Sequence, residues 1–194
     1  DVLGGQLRWT SVNVEKPFLA SDRSSIGLRA WYADLMLDQF RSRNTSTGML
    51  FEDSIVQVTT AEANIGATAG LHLIDSVYRG DSLTTVAQDE GVLMQGAVSL
   101  HLQSWTAQLH DTPLMMSSGS EAVVRSFVPL NTAQSSSDAL GDGTLYYGSS
   151  NNPTVSTTAS YRLLETAVTF TDLQSNPVEA VVDVHGFNLR SNSN

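Results

Sequence analysis

The chain has no cysteine, a single lysine and few charges of either sign. Among 194 residues without one Cys, a disulfide framework, thiolate catalysis and thiol-ligated metals are excluded. Charged residues make up 15%, well below the roughly one quarter usual in globular domains. Ser, Thr, Asn and Gln take their place, and a surface solvated by hydroxyls and amides is common among extracellular and assembly proteins. Lys16 is the only lysine, and the net charge is −10. Such a chain repels phosphate backbones, so direct nucleic-acid binding is disfavoured, and there is no basic arm to package a genome. No run approaches the ~18 apolar residues that span a bilayer, so no membrane insertion is expected. A chain opening at Asp1 without Met reads as a processed form or a trimmed fragment.

Alternating strands are what the sequence does contain. In Gly96–Leu109, Val98, Leu100 and Leu102 fall on one face of an extended chain, while Ala97, Ser99, His101, Gln103 and Trp105 fall on the other. Further strand candidates are Gln6–Val14, Met49–Thr60, Leu71–Tyr78, Glu121–Leu130, Thr144–Tyr147, Tyr161–Phe170 and Val178–Leu189. Ser24–Arg43 reads two ways. Ile26, Ala30, Ala33, Leu37 and Phe40 make a helical stripe capped by Asp22 or Ser24, whereas Trp31, Ala33, Leu35 and Leu37 make a strand face. Arg79–Ser82, Asp89–Gly91, Asn131–Gly143 and Gly148–Pro153 have turn or loop chemistry. No internal repeat, heptad or linker emerges. Eight to ten strands at this spacing predict a mainly β chain: one antiparallel β-sandwich, jelly-roll-like, with at most one or two short helices over residues 1–194. Residues 1–5 form an extended lead-in and 191–194 a frayed tail.

Short motifs give few chemical leads. Arg79-Gly80-Asp81-Ser82 resembles the cell-attachment tripeptide that integrins read, placed at an expected exposed turn, and marks a candidate receptor or contact loop. Turn chemistry between strands produces Gly-Asp pairs without any receptor. Asn44-Thr45-Ser46 is a glycosylation sequon in a turn. The histidines His72, His101, His110 and His185 lack metal-ligand spacing; Asp183 shares a strand face with His185, and a hydrogen-bonded imidazole is the simpler reading. Ser118-Gly119-Ser120-Glu121 lacks the glycine pattern of a nucleophile elbow. Asp34/Asp38 and Asp138/Asp142 have carboxylate-pair spacing but lie in solvated contexts. No catalytic, cofactor-binding or metal residue is assigned, and an enzyme is not expected. Trp9, Trp31, Trp105, Tyr146 and Tyr147 could stack on a sugar; Tyr146 and Tyr147, beside a Ser/Asn loop, form the expected exposed aromatic edge for glycan contact.

These features favour a structural subunit that packs against copies of itself: a virion protein, a capsid or capsid-surface subunit, found in the virion or outside cells. Its partners are further subunits and a host receptor or glycan. Two alternatives stand beside it. One is a bacterial or archaeal surface-fibre subunit or adhesin polymerising through strands, favoured by a non-complemented edge or a donor strand at Asp1–Val14. The other is a carbohydrate-binding β-sandwich module.

Overall fold

The computed structural model describes residues 1–15, 25–130, 139–147 and 160–163. Among these described residues thirteen strands join in one sheet: β1 (Val2–Glu15), β2 (Ile26–Arg43), β3 (Thr47–Glu52), β4 (Ile55–Asn64), β5 (Ala69–Ile74), β6 (Val77–Val86), β7 (Glu90–Gln95), β8 (Ser99–Gln108), β9 (Thr112–Met116), β10 (Glu121–Leu130), β11 (Ala139–Gly141), β12 (Thr144–Tyr147) and β13 (Ser160–Leu163). The described residues contain no helix, and so none long and apolar enough to cross a membrane.

Every pairing is parallel. Strands β3, β5, β7, β9 and β11 stack on the first part of β2, while β4, β6, β8, β10, β12 and β13 stack on its second part. Register advances almost uniformly, as Asp34 pairs with Ile55, Ile55 with Val77, Val77 with Ser99 and Ser99 with Glu121. The chain therefore coils as a β-solenoid, each turn of about 22 residues lying flat on the one before. This overturns the antiparallel jelly-roll sandwich, although the mainly β expectation stands. It also overturns the absence of a repeat: Gly27-Leu28, Gly48-Met49, Gly70-Leu71, Gly91-Val92 and Pro113-Leu114 mark successive turns.

Two corners shape each turn, and each uses one residue in the left-handed region. Tyr32, Asp53, Asp75, Gly96 and Gly119 form the first corner, with φ of 51°, 47°, 46°, 78° and 86°. Asn44, Ile65, Ala87 and Leu109 form the second, with φ between 55° and 60°. Between the first corner and the second lies a milder bend where two consecutive residues face outward, at Thr59-Thr60, Asp81-Ser82, Gln103-Ser104 and Arg125-Ser126, and the ladder skips a pair. Several sequence readings change for this reason. Met49–Thr60 is two strands hinged at Asp53, and Leu71–Tyr78 is two hinged at Asp75. The skip puts Trp105 inside with Leu100 and Leu102 instead of opposite them. Ile26–Arg43 is strand throughout, and residues 2–5, expected as a lead-in, belong to β1. Glu121–Leu130 and Thr144–Tyr147 are strands with the expected bounds. All of 164–194, including the candidate strand Val178–Leu189, lies outside the described residues, as do residues 148–153 and 131–138.

Inside the coil, like positions stack into columns. Leu35, Val56, Tyr78, Leu100, Ala122 and Leu145 form one, and Phe40, Ala61, Leu83, Trp105 and Phe127 another, all buried. The Trp105 and Phe127 rings stack 4.7 Å apart. Phe51, on the opposite wall, meets Tyr78 at 6.2 Å, so the walls close on a single core. The glycine column lets them approach. A Cβ on Gly48 would lie 2.5 Å from the Gly70 carbonyl oxygen and 2.6 Å from the Ala63 Cβ; one on Gly91 would lie 2.7 Å from the Pro113 carbonyl. With no room for a side chain, only the smallest residue fits there.

Candidate functional site

Outward side chains form straight rows along the solenoid, because equivalent residues of adjacent turns sit one strand spacing apart, about 4.8 Å. Gln57, Arg79 and His101 make one row; Thr59, Asp81 and Gln103 make the next. Between them runs an open trough of about 290 Å³, floored by the backbone of Val58 and Gly80. The Arg79 and Asp81 side chains pair with no described residue, and neither do those of Gln57 and Gln103. The neighbouring outward pair Arg41 and Glu62, also on adjacent turns, closes a 2.6 Å ion pair. The trough thus holds a free guanidinium and a free carboxylate among amides, a hydroxyl and an imidazole.

Arg79-Gly80-Asp81-Ser82 is therefore not an exposed turn. All four residues lie inside β6, and Gly80 is laddered between Val58 and Leu102. The reason for glycine at 80 is internal. Its position points into the core, where the Tyr78 ring fills the neighbouring volume: a Cβ there would come within 3.1 Å of that ring and 3.0 Å of the Val58 carbonyl. Arg79 and Asp81 remain exposed and share the trough wall.

The expected aromatic edge at Tyr146 and Tyr147 is not presented to solvent: the two are 5% and 0% exposed. Trp105 is core, Trp9 half-buried against the core, and Trp31 carries the Arg29 guanidinium 3.8 Å over its ring. Asn44 of the sequon sits at the second corner.

His110 is buried in a polar cluster. Its Nδ1 lies 3.0 Å from the Gln88 carbonyl and 3.3 Å from the Gln88 amide, and its Nε2 lies 3.0 Å from the Thr85 carbonyl and 2.9 Å from the Thr85 hydroxyl, so a proton on either nitrogen has a carbonyl to donate to. Burial pushes its imidazole below the usual range, partly opposed by these backbone bonds. His72 is lowered by burial too, and bonds Gln95 at 3.0 Å. His101 bonds Ser99 at 3.0 Å. The described residues hold no group of three or more metal-ligating side chains; His185 and Asp183 lie outside them, as does Asp138. Asp34 accepts from the Gln6 amide at 3.1 Å, and Ser117 and Ser120 bond each other and Gly96 at a first-corner position.

The sequence alone connected Arg79 with Asp81 but missed Gln57, Thr59, His101 and Gln103. A signal for them existed: 57, 79 and 101 are spaced by one turn, and so are 59, 81 and 103. No protein-family model, curated protein or solved structure matches the chain.

A second feature lies at the β1 end. β1 pairs along its length with β2 and with no other described strand, leaving one edge open. Its inward residues Leu7, Trp9 and Val12 are half-buried, while their partners one turn on, Leu35, Leu37 and Phe40, are 0%, 2% and 2% exposed. Core columns thus reach this end incompletely covered.

Proposed function

We propose that the chain is a segment of an extended surface fibre or adhesin that grows by adding strands in parallel onto β1. The observation that carries this reading is the β1 end: a fourteen-residue open edge lying over a half-covered apolar row. An added strand gains ladder hydrogen bonds and continues the columns of Leu7, Trp9 and Val12, the two sources of affinity in strand addition. The low-charge, hydroxyl- and amide-rich composition suits an extracellular setting. The partners are copies of the chain or further turns of the same coil. A shell subunit draws no support from this architecture, since that reading leaned on a jelly roll.

Native mass and shape test the proposal, by light scattering across a concentration series with negative-stain microscopy. The 20.9 kDa chain is expected to associate end to end, and Trp9→Lys is expected to return it to monomer without unfolding it. A wild-type chain that stays monomeric at high concentration contradicts the reading, as does association that Trp9→Lys and Val12→Lys leave unchanged.

A further inference from the structure

We propose that the trough between Arg79 and Asp81 binds a neutral saccharide chain. The inference is independent of the β1 end, which lies on other residues. Three observations carry it. First, the trough runs across three adjacent turns, each of which lines it with polar side chains, a shape that suits a short stretch of an extended, repeating ligand. Second, it presents donors and acceptors side by side and uncommitted. Arg79 offers a planar fork of N–H groups, Asp81 accepts from two neighbouring hydroxyls, and Gln57, Gln103 and Thr59 both donate and accept. Third, its charges cancel while the whole chain carries −10, which disfavours polyanions over uncharged polyols.

Other ligand classes fit less well. A peptide strand finds no backbone partner, because Gly80 is already laddered on both sides, and no apolar side-chain pocket. A nucleic acid meets one arginine on an acidic surface. The trough also differs from the buried Tyr146 and Tyr147, since it uses hydrogen-bonding side chains alone. Without an aromatic platform, affinity per sugar is low and comes from the combined contacts of the three turns.

The test is a titration of the isotope-labelled chain, followed by amide chemical shifts. The ligands are cellohexaose, maltohexaose and chitohexaose, with hexagalacturonate as the anionic comparison. At least one neutral hexasaccharide is expected to bind, with shifts confined to residues around Gln57, Arg79, Asp81 and Gln103. Arg79→Ala and Asp81→Ala are each expected to weaken it by about tenfold, the scale of a hydrogen bond to a charged group. Arg125→Ala, on the same outward row but outside the trough, leaves binding unchanged. Thermal melting confirms that each exposed-site variant is folded. The proposal is overturned if no neutral ligand shifts the trough amides, or if Arg79→Ala and Asp81→Ala bind as tightly as wild type. It is also overturned if hexagalacturonate alone binds, weakened by salt and strengthened by Asp81→Asn, which marks an anion site.

Discussion

The two corners of the solenoid solve the same backbone problem with different chemistry. Each turn needs one left-handed residue at each corner. At the first corner four of the five residue types suit that conformation, Asp53, Asp75, Gly96 and Gly119, with Tyr32 the exception. Buried serines beside it link successive turns. Ser54 Oγ accepts from the Ala33 amide at 3.1 Å and donates to the Glu52 carbonyl at 2.7 Å, and Ser76 does the same for Ser54 and Ile74, at 3.0 and 2.6 Å. The second corner opens with Asn44, which suits that region, and then uses Ile65, Ala87 and Leu109, which carry a steric cost there. Position-by-position hydrogen bonding holds it there. The Ile65 amide donates to Val86, that of Ala87 to Gln108 and that of Leu109 to Leu130, each one turn on. Behind it lies the cluster of Thr85, Gln88, Trp105 and His110. Amide bonds from one turn to the next hold both corners, and local residue preference helps at most positions of the first but not at Ile65, Ala87 and Leu109 of the second.

The largest expected effect comes from breaking what supports the second corner. Thr85→Val removes the acceptor of the Trp105 indole at 3.0 Å and one hydrogen-bond partner of His110. Losing it leaves a buried donor unpaired, so denaturant unfolding should show a loss of about 2–3 kcal/mol. At the first corner, Ser54→Ala orphans the Ala33 amide alone, whereas Thr85 serves two buried side chains, and the expected loss is about 1–2 kcal/mol. Equal losses would mean that the corners do not differ in their reliance on buried bonds. Relieving the strain sharpens the contrast in the opposite direction. Ile65→Asn should stabilise by about 1 kcal/mol, because Asn tolerates the left-handed region and Ile65 is 38% exposed. Asp53→Ile should lose a similar amount, and a neutral outcome for both would remove the strain from the account.

The smallest effect is a pH slope. The His110 imidazole is lowered in the fold by burial, so below about pH 6.5 the unfolded chain binds more protons than the folded one. Stability falls as pH drops below that value and levels off once the folded imidazole is also charged. His110→Gln should flatten the fall between pH 7 and 5 without abolishing it, since His72 is shifted in the same direction. An unchanged slope would show that the second corner is not coupled to this histidine.

What could be read in the sequence follows from the same contrast. Val98, Leu100 and Leu102 are buried as their alternation predicts, and the β character is right. The direction of pairing was hidden. Parallel neighbours need a long return path, usually recognised as a helix, but here the return is the rest of the turn, itself made of strand. Corners carried by single residues leave no loop behind, so Met49–Thr60 read as one strand, with Asp53 as its hinge unnoticed. The repeat was masked because the core tolerates any apolar residue in a column, from Ala122 to Tyr78. The glycine column does repeat in identity, since a Cβ there would strike the next turn, and so does the outward row Ser82, Ser104 and Ser126. The trough was invisible for the same reason: without the register, Arg79 and His101 are unrelated positions.

Parallel stacking one turn apart is the central claim, and the absence of native cysteine allows a direct test. Thr84 and Thr106 face outward as a register pair on adjacent turns. Thr84→Cys with Thr106→Cys should close an intramolecular disulfide on mild oxidation, since paired strands lie about 4.8 Å apart. Thr84→Cys with Gln108→Cys, offset by two residues, should remain largely reduced. Efficient closure of the first pair alone is the predicted result. Failure of the first pair, or equal closure of both, would contradict the solenoid.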